Sequence, residues 1–261
     1  MLESRRLGSS VSDADRTKDQ VICTRGLERG AVPVRHRDIS LPRSGMREFA
    51  SSRILVGSMK LYYAPGTSAV GIRVLLEEIG RPYEVVSVDL RAGEQYEPPF
   101  ISINPKSKVP TLVRDDNSVL TEFGAIARWL ARTNPDAALL PAEPEPEARA
   151  TELLDYVVGT VHMRGFSRMI VPAVFGPKEQ REHVVAAGRR IATRGFEIID
   201  AGLSGKTYVA DRYSYADAAL FYVERWAEQF SMPMPANCRL HYETMKKRAA
   251  VERVLAADQS N

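Results

Sequence analysis

Cysteine is almost absent. The 261 residues contain two, Cys23 and Cys238, far apart in the chain and in neither a CxxC nor a Cys/His spacing. That excludes a disulfide scaffold and a cysteine-built metal site, and a reducing compartment, the cytoplasm, is the expected home. Long apolar runs are missing too. None approaches the ~20 residues of a membrane-spanning helix, and no apolar stretch follows the first charges as a secretory signal requires. Net charge is small, +3, and unevenly placed. Residues 1–58 carry 11 Lys and Arg against 7 Asp and Glu, which leaves 25 against 26 for the remainder. The basic excess belongs to the leading segment, so nothing in the rest calls for a nucleic-acid or membrane-surface partner. What is present, 44% hydrophobic and 26% charged residues, describes a globular protein of one or two domains with a real core.

Residues 1–58 are rich in Arg, Ser and Gly, lack apolar periodicity, and are expected to be disordered. A start assigned upstream of the folded protein is the first explanation, because Met59 opens M-K-L-Y-Y where the folded pattern begins. An Arg-rich organelle leader is second, weakened by its acidic residues; a functional tail is third. Met59 to Tyr63 reads as a strand ended by Pro65-Gly66. Thr67 or Ser68 then caps a helix whose Ile72, Leu75, Leu76 and Ile79 recur at i, i+3, i+4, i+7. Gly80 stops that helix, Pro82 follows, and Tyr83 to Val88 alternates as a second strand.

The richest stretch runs from Ile103 to Trp129. Asn104-Pro105 and Val109-Pro110 are X-Pro steps that hold their preceding residues extended, so this is a shaped loop. Thr111–Val113 and Val119–Leu120 are short apolar runs around Asp115, Asp116, Asn117 and Ser118, a β-hairpin signal. Ile126, Trp129 and Leu130 then begin a helix, with Thr121 or Glu122 at its entrance. A cis Val109–Pro110 bond would turn the Val109 N–H and C=O outward, where an extended peptide could pair with them. The following helix would offer free N–H groups to a carboxylate, and Glu122 a counter-charge to an ammonium. An ordinary surface hairpin with a loop proline is the competing interpretation. Beyond Pro135–Pro146, a Pro/Glu-rich linker, the chain is helical: about Glu147–Ile170, Lys178–Leu203, Ser214–Gln229 and Arg239–Ala257. Ser214-x-x-Asp217 fits a capping box, with Tyr213 and Ala218 placed as a hydrophobic staple.

N-P-K-S-K-V-P-T-L followed by L-T-E-F-G-A-I resembles the glutathione-binding half of the glutathione transferases, nearest the bacterial beta class, and S-Y-A-D at Ser214 resembles a helix motif of the same family. The resemblance implies an α/β thioredoxin-like N-terminal domain (59–134), a linker (135–146) and an all-α C-terminal domain (147–261), working as a cytoplasmic homodimer in detoxification. It implies glutathione as cosubstrate, a hydrophobic electrophile as second substrate, and no metal. Carried over by position, Ser68 falls where beta-class members hold cysteine, in P-G-T-S-A for P-G-A-C-S. His162 falls on their helical histidine, and Asp155 on their asparagine seven residues earlier. Glu122 matches the glutamate that holds the γ-glutamyl ammonium, and Phe123 stands where a serine binds its carboxylate.

These positions define the expected site. Ser68, with Thr67 beside it, could hydrogen-bond a thiolate at a helix start, or both could be plain N-caps. His162, with an ordinary pKa near ~6.5, could stabilise the thiolate and exchange protons, or be structural. Val109, Pro110, Glu122, Phe123, Lys108 and Asp155 would bind glutathione, with Lys106 an alternative to Lys108 for a glutathione carboxylate, Arg91 a weaker contact, and Tyr62 and Tyr63 core or supporting aromatics. Phe166, Met163, Met169 and Phe175 could line an apolar cleft for the electrophile, or be core. Transfer of the glutathione thiolate to an electrophile is the expected activity. A non-catalytic binding protein and a glutathione-dependent thiol–disulfide reductase stay open beside it, because fold alone does not assign chemistry.

Overall fold

The computed structural model describes residues 58–210 and 212–259; the expectations placed on residues 1–57, Cys23 among them, lie outside the described residues. Four strands form one sheet in the order β2-β1-β3-β4. β1 (Met59–Tyr63) pairs parallel with β2 (Tyr83–Ser87) and antiparallel with β3 (Thr111–Val113), which forms the expected hairpin with β4 (Val119–Thr121). β1 alternates as a strand with one covered face should: Met59, Leu61 and Tyr63 are buried while Lys60 is exposed. α1 (Ala69–Ile79) ends at Gly80 as its pattern requires, and α3 (Phe123–Thr133) follows the hairpin. A short α2 (Phe100–Ile103) leads into the loop before β3. This βαβ-ββα order is the thioredoxin-like half.

The helical half departs from expectation at two boundaries. α4 (Pro144–Tyr156) starts inside the stretch assigned to the linker, because Pro144 occupies a first-turn position, where its missing N–H costs nothing. The backbone then passes through a π-helical stretch (Val157–Phe166) into α5 (Ser167–Ile170), so the expected single helix is continuous but changes register midway. α6 (Arg181–Gly202) and α7 (Tyr215–Gln229) follow. The helix expected from Arg239 to Ala257 is instead two, α8 (Ala236–Lys246) and α9 (Ala249–Gln259). At the turn between them the Arg248 guanidinium bonds Glu78 at 2.7 Å and lies 3.8 Å over the Tyr213 ring, anchoring the break to α1.

α7 is the centre of the molecule. From Tyr215 to Val223 every residue is buried, and α1 lies directly against it. A Cβ on Gly71 of α1 would meet the Ala218 carbonyl oxygen at 2.6 Å and the Phe123 ring at 2.8 Å, so only glycine permits this backbone approach. The same device joins α6 to the π-helical stretch, where a Cβ on Gly188 would meet the Gly165 carbonyl at 2.6 Å. α9 is pinned beneath: Asp258 accepts hydrogen bonds from Tyr63 (2.6 Å), Arg73 (3.1 Å) and Arg225 (3.3 Å).

The cap at Ser214 forms as expected, its N–H and hydroxyl both donating to Asp217 at 2.7 and 2.9 Å. Asp217 also belongs to a buried polar cluster that sequence patterning missed. His241 bridges Asp217 (3.1 Å) and Glu224 (2.9 Å), and these three residues are at most 2% exposed. Burial alone would lower the His241 pKa, but the Glu224 charge and the hydrogen bonds to both carboxylates outweigh it and push it up to about 10. Burial pushes the Glu224 carboxyl up, partly offset by His241 and Arg239. Cys238, whose thiol burial also pushes up, and the Tyr208 ring complete the surroundings.

Two outcomes follow from this packing. Gly71→Ala should destabilise the fold by about 1–3 kcal/mol, the cost of overpacking against backbone, read as a lower urea midpoint with the slope unchanged. Because the folded pKa of His241 lies above the unfolded ~6.5, its contribution is complete below that pH and is lost as pH rises towards about 10. Denaturant melts from pH 7 to pH 10 should therefore fall with a slope of up to ~1.4 kcal/mol per pH unit, and His241→Gln should flatten that slope.

Candidate functional site

The loop before β3 is shaped by one buried amide. Asn104 is 1% exposed, and its side-chain NH2 donates to the Lys108 carbonyl and the Thr111 hydroxyl, both at 2.8 Å. Its oxygen accepts the Lys106 N–H at 3.1 Å. Held this way, the loop presents Val109, and the Val109–Pro110 bond is cis, the alternative under which the Val109 edge faces outward. Pro110 is buried, Lys108 is exposed, and the Val109 N–H and C=O find no partner among the described residues.

Across the hairpin, α3 begins beside this edge. Its first turn-closing bond runs from Ile126 N–H to the Glu122 carbonyl (3.0 Å). That leaves the N–H groups of Phe123, Gly124 and Ala125 without acceptors among the described residues, the ordinary orphans of a helix start. Glu122 itself sits at φ 70°, a left-handed conformation that non-glycine residues hold only when their surroundings impose it. Its carboxylate is 63% exposed and pairs with Lys106 at 2.8 Å, an exposed contact worth about 0–1 kcal/mol and readily exchanged for another cation. Asp155 of α4 stands close by, its Oδ1 4.0 Å from where a Cβ on Gly124 would be. Glu122 and Asp155 both line a cavity of about 810 Å³ between α3 and α4. A separate cavity of about 370 Å³, between α4 and α6, is lined by none of the predicted residues.

At the start of α1 the two hydroxyls separate in role. Thr67 is the cap, donating to the Ala64 carbonyl (2.7 Å) and accepting the Ala69 N–H (3.2 Å). The Ser68 side chain makes no cap bond and no hydrogen bond among the described residues, although the residue is only 7% exposed. The turn ahead of it is tied to the helical half: the Trp226 indole N–H donates to the Gly66 carbonyl at 2.7 Å. The His162 ring lies edge-on to Trp226, 4.7 Å between centroids, and its Nδ1 is 3.2 Å from the Tyr222 hydroxyl. Trp226 thus links the Ser68 turn to His162.

The geometry corrects one expectation, proton exchange by His162, and decides several open alternatives. Burial, helped by the positive charge of Lys108, lowers the His162 pKa to about 4, so it is a neutral imidazole and not a group exchanging protons near neutrality. Phe166 (0% exposed) and Met169 (6%) are core, with Phe166 against Trp226, Phe196 and Phe230, and do not line a cleft. Met163 and Phe175 are exposed, and Phe175 is covered by Arg168. Tyr63 is committed to Asp258, while Tyr62 packs on Phe100. Arg91 lies on an exposed turn after β2.

The glutathione S-transferase N-terminal domain model matches residues 57–132 and the C-terminal domain model residues 162–250. Glutathione S-transferase GstA of Escherichia coli O157:H7 is 30% identical over 209 residues, 77% of this chain and 98% of that protein. The chain belongs to the glutathione S-transferase family. Among solved structures, a glutathione transferase homologue from Sulfitobacter with bound glutathione aligns at TM-score 0.72 and 27% identity, over 77% of this chain and 98% of that one. The beta-class glutathione S-transferase of Sphingomonas chungbukensis aligns at TM-score 0.66 and 27% identity, over 76% and 98%.

The resemblance to the beta class sets Ser68 where those members hold cysteine and Phe123 where they hold serine. The Phe123 ring turns inward, 5.1 Å from Tyr222, and the residue is 5% exposed, so its backbone N–H is what it can offer a ligand. Tyr222 and Trp226 were missed in the sequence. Their signal was an i, i+4 aromatic pair with polar tips around the end of the apolar run 218–223, which marks burial with a partner for each tip. An NMR titration should find the His162 imidazole neutral from pH 9 down to pH 5 and protonating at about 4; a transition near ~6.5 would contradict the burial described.

Proposed function

We propose that the protein binds glutathione along the Val109 edge and adds its thiolate to an apolar electrophile. The observation that carries this reading is the unpaired Val109 N–H and C=O beside the free N–H groups of α3 and the Glu122 carboxylate. The first pair suits an extended peptide backbone, the second the γ-glutamyl carboxylate, and the third its ammonium. Asp155 adds a second negative charge for that ammonium, and Lys108 or Lys106 can meet a peptide carboxylate. Phe123 offers only its N–H. The missing hydroxyl removes a charged-group hydrogen bond worth ~1.5–3 kcal/mol, roughly tenfold to a hundredfold in affinity.

Chemistry here is thiolate stabilisation. The thiol proton leaves to solvent, sulfur forms the new bond to carbon, and the electron pair departs with the leaving group or passes onto the acceptor. Ser68, whose hydroxyl is otherwise without a partner, donates to the thiolate, while Thr67 orders the turn. His162, neutral, donates from one ring nitrogen. A homodimer is part of the reading. A cytoplasmic, detoxifying role is in keeping with these parts. The two departures also favour binding without turnover as a second reading. Among the described residues the cysteine, Cys238, has its thiol buried against the Phe196 carbonyl at 3.7 Å, so a reductase built from those residues would rely on the sulfur of glutathione.

Calorimetric titration should give a glutathione Kd in the micromolar to low millimolar range, weakened at least tenfold by Glu122→Ala, in line with a charge-assisted hydrogen bond of ~1.5–3 kcal/mol. Ser68→Ala should lower kcat with electrophilic substrates and leave the Kd nearly unchanged. Binding without turnover on any electrophile would favour the second reading, and no binding would overturn both. Light scattering should report a dimer.

A further inference from the structure

We propose that Tyr222 is a positioning residue: its hydroxyl donates to His162 Nδ1 and so holds the imidazole as the tautomer whose Nε2–H is available to the glutathione sulfur. The proposal deepens the preceding reading and rests on it for the sulfur; the tautomer stands on the geometry alone.

The hydroxyl is 3.2 Å from Nδ1, and Tyr222 is 0% exposed. Among the described residues it has no other hydrogen-bond partner. A neutral imidazole carries one N–H and one lone pair, so the contact has two possible directions. If Nδ1–H donated to the phenol, the phenol's own proton would be buried without an acceptor, which costs the full desolvation of that group. If the phenol donates, its proton and the Nδ1 lone pair are satisfied together. Burial keeps the phenol protonated and the imidazole neutral at ordinary pH. Trp226 cannot set the tautomer instead, because its single N–H is spent on the Gly66 carbonyl.

The phenol is itself fixed. Its ring packs 5.1 Å from Phe123 and 5.0 Å from Trp226, and Trp226 meets the His162 ring edge-on. Phe123 opens α3, Trp226 is bonded to the turn before Ser68, and Tyr222 lies one turn below Trp226 on α7. The orientation of His162 is therefore set by the contact between the two halves of the molecule. It also gives the large residue at position 123 a role: its ring closes the pocket around the Tyr222 phenol.

Tyr222→Phe tests this, since it removes the oxygen and keeps the ring. In wild type, the ¹⁵N NMR signals of His162 should show Nε2–H alone; in Tyr222→Phe, a mixture with Nδ1–H. With glutathione bound, the ultraviolet titration of its thiolate should move to higher pH in Tyr222→Phe. kcat should fall about three- to tenfold, the worth of one hydrogen bond, while KM for glutathione stays within twofold. In a His162→Gln background the same change should add nothing, whereas a merely structural role would lower the melting temperature and act independently of His162. A wild-type Nδ1–H signal, or an unchanged spectrum in Tyr222→Phe, overturns the proposal. If the tautomer responds but His162→Gln leaves the thiolate titration unchanged, the tautomer assignment holds and the sulfur role falls. If glutathione does not bind at all, the functional reading fails while the NMR result still decides the tautomer.

Discussion

The contact on which the rest depends is the backbone approach of α1 to α7 at Gly71 and Ala218. With no side chain between them, the helix that begins at Ser68 is held against the most deeply buried helix of the second half. α7 then carries Ala218, Tyr222 and Trp226 at four-residue steps, a single stripe along one face. The first of these touches α1, the second packs on Phe123 at the start of α3, and the third bonds the Gly66 carbonyl ahead of Ser68. One rigid element thereby places both helix entrances and the His162 ring relative to each other. Packed interiors do not deform gradually, so an added methyl group at Gly71 would disturb the site as well as the core.

A helix buried on all sides needs partners for every polar group it carries. Asp217 and Glu224 on α7 lie on the side that receives His241 of α8, which bridges them, while Tyr222 and Trp226 spend their single protons on His162 and Gly66. The two histidines are consequently opposites. His241 sits between two carboxylates and is held charged; His162, among aromatic rings with a lysine charge nearby, is held neutral. Environment decides between them, and their intrinsic pKa values are the same.

The two departures from the beta-class pattern have different consequences. Under the proposed function, serine at 68 keeps a small polar group for the thiol and leaves no cysteine at that position for a mixed disulfide. Phenylalanine at 123 removes a ligand hydroxyl and adds aromatic packing around Tyr222. Under the proposed function the site has fewer groups to grip glutathione and a more firmly held His162 imidazole. That combination suits a reaction governed by thiolate stabilisation better than one governed by tight binding.

Much of this was legible along the chain, because it rests on local grammar. The period-2 alternation of β1, the i, i+3, i+4, i+7 face of α1, the turn residues between Thr111–Val113 and Val119–Thr121, and the Ser214 cap are each set within a few residues by backbone geometry. So were the Val-Pro edge and Glu122, and with them the family resemblance. Three things were decided only by tertiary structure: that His162 is neutral, that Phe166 and Met169 are core, and that Thr67 rather than Ser68 caps α1. The Asp217–His241–Glu224 cluster and the Tyr222–His162 bond join residues from different helices, and neither spacing nor composition encodes such a meeting. Proton affinity depends on burial and on neighbouring charge, quantities that exist only once distant segments have packed. The amino-acid order by itself determined which elements form and which backbone edge is offered; the packing of α7 against both halves decided what the side chains at that edge can do.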